Sequence, residues 1–139
     1  GCTFTEPEVA HIGLTHAQAV AQFGEAEVRL NKVMLTDVDR AVCAGTEKHG
    51  FQQIVSLKNG EIVGATFVCP AAGEHICEIN LAMNQKVKLS KLVNVMHAYP
   101  TYALPIQSPL AKIPYYESLQ GLKGLLDIVA KIPYLKIPA

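Results

Sequence analysis

The 139-residue sequence has no tryptophan, a formal net charge of zero and few aromatic residues. It holds no run of basic residues, so nothing electrostatic recommends it as a nucleic-acid binder. No apolar run approaches the length of a membrane span, and no signal peptide is visible. The glycine-rich cradles for phosphates are missing: there is no Gly-x-Gly-x-x-Gly, no Walker loop and no Gly-x-Ser-x-Gly elbow. Cysteines at 2, 43, 69 and 77 form neither a Cys-x-x-Cys pair nor a zinc-ribbon spacing. Cys69, His75 and Cys77 are close in sequence, yet a fourth metal ligand has no source. Packing as small hydrophobes is the better reading, Cys69 ending a buried strand and Cys77 lying along a helix. No metal site is therefore expected, and unpaired thiols of this kind fit a reducing cytoplasm. Histidines 11, 16, 49, 75 and 97 have no nucleophile or carboxylate partner that spacing identifies. His97 reads as a helix-terminal residue near the negative end of the dipole.

Half the residues are apolar, and the length suits one domain with a sizeable core. The most informative stretch is Gly50 to Met83. Phe51, Gln53, Val55 and Leu57 alternate with Gln52, Ile54 and Ser56, which predicts a strand with one face better buried. Asn59-Gly60, within Lys58 to Glu61, predicts a type I′ hairpin turn. Ile62 to Val68 is apolar on both faces and should be an inner strand. Pro70 to Gly73 breaks the sheet, and Glu74 opens a helix carrying Ile76, Ile79 and Met83.

Upstream, residues 3–13 should be extended, since they hold an early proline and end on glycine. Thr15 and Gln18 form a capping box. The helix they start carries Ala17, Val20 and Phe23 on one side and stops at Gly24, an αL cap. Val28 and Leu30 alternate in one phase, Val33 and Leu35 in the other, which predicts a bulge or two short strands near Asn31-Lys32. Thr36 to Gly45 carries no decisive pattern.

Downstream, Ser90 should cap a second helix bearing Leu92, Val93 and Met96, which ends before Tyr99-Pro100. Pro100 to Pro114 holds four prolines and reads as a loop. Tyr116 to Lys131 returns to helical spacing, between copies of a Lys-Ile-Pro-Tyr repeat at 112–115 and 131–134 and a shorter Lys-Ile-Pro at 136–138. Strands first and helices grouped after them imply an α+β domain, with an antiparallel sheet covered mainly on one side. The chain does not open on methionine and is expected to be a piece of a longer one.

Phe4-Thr5-Glu6-Pro7-Glu8-Val9-Ala10, Gly13-Leu14-Thr15, Gly50-Phe51, Gly64-Ala65, Ala72-Gly73-Glu74 and His97-Ala98-Tyr99-Pro100-Thr101 carry a resemblance. In this order and spacing they resemble the C-terminal dimerisation domain of the FAD-dependent pyridine nucleotide-disulfide oxidoreductases. That group holds glutathione reductase, dihydrolipoamide dehydrogenase and mercuric reductase, and the resemblance covers residues 3–104. Residues 105–139 are then a proline-containing loop and a helical extension.

The resemblance implies a four- to five-stranded antiparallel sheet with helices, a homodimer, and FAD and NAD(P)H domains upstream in the same chain. No cofactor is expected in this piece. Tyr99 and Pro100 would lie near the partner subunit's flavin, where relatives place a His with a Glu five residues after it. Here those positions hold Tyr99 and Leu104. A phenol with an ordinary pKa of about 10 is a poor base at neutral pH, so no catalytic acid or base is assigned and Tyr99 is a substrate-positioning residue. Tyrosine before Pro-Thr resembles the mercuric reductase branch, whose C-terminal cysteine pair is missing here. The expected function is a dimerisation module that completes the partner's active site and is inert alone. The alternatives are a stand-alone α+β interaction or binding domain, and a small independent enzyme using His97 or Cys69.

Overall fold

The strands flanking Asn59-Gly60 lie at the middle of the sheet. In the computed structural model, which describes residues 1–117, 119 and 120, β4 (Phe51–Leu57) pairs antiparallel with β5 (Ile62–Cys69). Around them lie β1 (Cys2–Thr3), β2 (Glu8–Gly13) and β3 (Val28–Met34). The five strands run in the order β1-β2-β5-β4-β3, every neighbouring pair antiparallel. The inner position of β5 and the extended leading segment match the sequence reading, as does the α+β class.

The hairpin turn differs in type. Only Gly60 takes a positive φ, of 87°, so the turn is not type I′. Gly60 N donates to Leu57 O at 2.8 Å, Leu57 N to Glu61 O at 2.8 Å, and Glu61 N to Asn59 Oδ1 at 2.9 Å. This is the three-residue loop with glycine at its last position, in which the Asn59 side chain, not its backbone, closes the turn.

β3 pairs with β4 without a break from Val28–Leu57 to Met34–Phe51, so there is no bulge at Asn31-Lys32. The change of phase has another cause. Val28 packs with Ala19, Val55 and Val63 beneath α1 (His16–Phe23), whereas Val33 packs on the opposite face with Ile54, Phe67 and Leu35. The strand simply passes from cover on one face to cover on the other. The register shift of this sheet lies between Val55 and Ser56.

Helix α1 has the expected capping box, Gln18 N donating to Thr15 Oγ1 and Thr15 N to Gln18 Oε1. Its last cap, Gly24, has φ 87° and ψ 146°, which is not αL, and its buried residue is Ala19 rather than the stripe through Phe23. The stretch without a pattern forms a 3-10 turn at Leu35–Asp37 and helix α2 (Asp39–Ala44), stopped by Gly45 in the αL conformation. Helix α3 (Ala72–Asn84) begins two residues ahead of Glu74 and buries Ile76 and Ile79 against β2 and β5. Gly64 is needed where the chain leaves β2: a Cβ there would sit 1.9 Å from Leu14 O.

The second helix of the sequence reading is a 3-10 turn, Leu89–Asn94, with Ser90 inside it and Lys88 at the cap. Three residues per turn bring Leu89 and Leu92 to one side, and both are buried, while Met96 is 92% exposed. The stretch from Pro100 to Pro114 is more than a loop. Ile106–Leu110 winds into a π-type turn kinked at Ser108, and residues 112–117 are helical. Ile106, Leu110 and Ala111 draw this segment into the main core. The remainder of the predicted helix to Lys131, with the second and third repeats, lies outside the described residues. No helix among the described residues is long and apolar enough to cross a membrane.

Candidate functional site

The segment His97 to Thr101 is held at both ends and open in the middle. His97 Nε2 lies 2.8 Å from Glu78 Oε2, and Nδ1 lies 2.9 Å from Val95 O. Spacing gives His97 no carboxylate partner; α3 supplies one, and the His97 side chain is only 7% exposed. The carbonyl can only accept, so Nδ1 carries a hydrogen, and the Glu78 contact then needs an imidazolium or a protonated carboxyl. His97 N donates to Gln107 Oε1 at 3.2 Å, while Gln107 Nε2 donates to Val93 O at 3.2 Å. On the far side Thr101 Oγ1 donates to Ala98 O at 2.8 Å and accepts from Leu104 N at 3.2 Å.

Tyr99 projects between these anchors and is 70% exposed. The Tyr99–Pro100 peptide is cis. The phenol faces Asp39 on α2, whose carboxylate accepts its hydrogen and repels the phenolate, holding Tyr99 above the ordinary phenol value. Slight burial and Cys43 act in the same direction. The sequence gave no sign of Asp39.

Behind the loop sits Tyr102, whose carbonyl accepts from the fully buried Gln52 Nε2 at 2.7 Å. Its hydroxyl lies 2.6 Å from Thr46 Oγ1, and its ring is 5.9 Å from that of His75. The buried face of β4 thus carries the amide that fixes the loop, a role that strand alternation does not reveal.

Cys69, His75 and Cys77 do not form a ligand set. Burial pushes the Cys69 thiol up to about 11, which keeps it protonated, and lowers His75. Cys77 is exposed rather than packed, its S–H donating to Gly73 O at 3.3 Å. Among the described residues no group of three or more His, Cys, Asp or Glu is placed to hold a metal.

The described residues also offer no seat for the pyrophosphate of a dinucleotide. Thr15 and Gln18 fill the start of α1. At the start of α3, Glu8 Oε2 accepts from Gly73 N at 3.0 Å, so a phosphate there would meet a carboxylate. FAD does not fit these residues.

An apolar groove of about 330 Å³ runs beside α3, lined by Leu81, Ala82, Val87, Leu92 and Val95 with Glu78 at its edge. Leu81 is 63% exposed and Val95 43%. Large apolar side chains gathered in one exposed patch mark a surface that binds protein.

Comparison with known proteins agrees with this geometry. The sequence is 31% identical over 114 residues to dihydrolipoyl dehydrogenase 2 of Haloarcula marismortui, covering 78% of this chain and 22% of that protein. It is 34% identical over 99 residues to mercuric reductase of Shewanella putrefaciens, covering 70% and 17% respectively. The chain thus spans about a fifth of the length of these relatives. The fold superposes on the crystal structure of LpdA from Mycobacterium tuberculosis with a TM-score of 0.71 and 26% identity, over 81% of this chain and 24% of that one. Residues 1–108 match the model of the pyridine nucleotide-disulphide oxidoreductase dimerisation domain, and the chain belongs to that family.

Proposed function

We propose that this chain is the dimerisation module of an FAD- and NAD(P)H-dependent oxidoreductase, inert by itself, whose cofactor domains lie upstream in a longer polypeptide. Two copies pair, and the Tyr99-Pro100-Thr101 loop of one completes the partner subunit's active site beside its flavin. The apolar surface of α3 and the groove next to it are the pairing face. The four free cysteines support a cytoplasmic setting.

The observation that carries the reading is Tyr99 itself: a large side chain, 70% exposed, on a loop pinned by His97, Gln107 and Thr101. A rigid loop that leaves an aromatic phenol in solvent suits a second surface arriving there. Held protonated, the phenol orients the electron acceptor by a hydrogen bond and takes no proton from it. The acceptor is a disulfide or a metal ion.

The test is Tyr99→Phe in the full-length enzyme. Flavin content and flavin reduction by the nicotinamide should be unchanged. Turnover with the acceptor should fall about two- to tenfold, the worth of one hydrogen bond of about 0.5–1.5 kcal/mol. Unchanged turnover with every acceptor would overturn the role.

A further inference from the structure

We propose that Asp39 is the positioning residue for Tyr99, taking the hydrogen of its phenol so that the phenolic oxygen faces outward as an acceptor. Asp39 is the first residue of α2 and is fixed from below, since Leu35, Val38 and Ala41 around it are buried in the main core. It lines a cleft of about 110 Å³ together with Asp37, Arg40, Pro100, Thr101 and Leu104, so α2 is packed against the Tyr99 loop. Cys43 follows one helical turn after Asp39, on the same face, and also lies near the phenol.

A phenol has one hydrogen to donate and two lone pairs. With the hydrogen committed to the Asp39 carboxylate, what Tyr99 presents to solvent is the electron-rich oxygen, with a negative charge behind it. The group it recognises is therefore a hydrogen-bond donor or a cation, such as a thiol or a metal ion, rather than a carboxylate or phosphate. Leu104 cannot orient Tyr99 in this way, and the carboxylate comes from a different element instead. This inference rests on the substrate role given to Tyr99 above.

The link is read in the 139-residue chain by following the Tyr99 phenol through its titration, with ¹³C-labelled tyrosine and Tyr99→Phe to assign the signal. Asp39→Asn should lower the midpoint, because the carboxylate now holds it up, and Asp39→Glu should restore it. Asp39→Ser keeps a residue suited to a helix start and serves if the Asn variant unfolds. A midpoint that does not move in either neutral variant overturns the proposal. In the full-length enzyme, Asp39→Asn should lower turnover about as far as Tyr99→Phe does, and the double variant no further. Loss that is additive in the double variant also overturns it. A lowered midpoint with unchanged turnover supports the link and overturns the substrate role of Tyr99.

Discussion

Gln52 illustrates what one polar residue does in an apolar strand. It is wholly buried, yet both of its amide hydrogens find acceptors, the Tyr102 carbonyl at 2.7 Å and Cys69 Sγ at 3.6 Å. A buried amide left unmade would cost about 1–3 kcal/mol, so the contact fixes where the loop lies. Its neighbour Cys69 has a thiol raised by burial from the ordinary 9.0 to about 11, with Glu8 adding to the effect and Gln52 opposing it. The unfolded chain releases this proton at the ordinary value and the folded one later. The stabilising contribution is therefore complete below about pH 9 and is lost as the pH rises toward 11, in all about 2–3 kcal/mol. Urea midpoints at pH 8 and pH 11 should show this drop, and Cys69→Ala should remove that part of it. If the variant falls as steeply, the thiol is not the cause.

At the scale of elements, α3 begins without help from its own sequence. Its cap residue, Ala71, sits at φ 54° and has no side chain to offer. Glu8, 65 residues earlier on β2, takes the Gly73 N–H instead, and its charge lies at the positive end of the helix. Glu8→Ala should cost about 1 kcal/mol, as the loss of a cap does, and lower the urea midpoint without changing the slope. A variant of wild-type stability would show that water replaces the carboxylate freely. The 3-10 turn at Leu89–Asn94 follows the same logic, as two leucines three residues apart decide its pitch.

At the scale of the molecule, the sheet is covered by α1 on one face and by α3 with the following turns on the other. The outer side of α3 remains open, with Leu81 and Val95 beside the groove. Stable subunit contacts are larger and more apolar than transient ones, and this patch suits a second copy. Leu81→Glu adds a charge where the side chain already meets solvent, so folding should be spared and pairing lost. Sedimentation at tens of micromolar should show the wild-type chain as a dimer and the variant as a monomer of 15.0 kDa. A wild-type chain that stays monomeric, or a variant that still pairs, would remove α3 as the pairing face.

The sequence by itself determined the parts that depend on neighbours along the chain. Thr15 and Gln18 specify the start of α1, the alternation in β4 and β5 specifies two strands, and Asn59-Gly60 places the turn between them. Residue order over the stretch from Phe4 to Thr101 also identified the family. Tertiary structure decided whatever joins distant residues: Glu8 with Gly73, Glu78 with His97, Gln52 with Tyr102, and Asp39 with Tyr99. Spacing reports a hydrogen bond or a shared face only when both partners belong to one turn or one strand. Glu78 is 19 residues from His97 and Gln52 is 50 from Tyr102, separations at which any carboxylate or amide looks alike until the sheet and α3 bring one of them into reach.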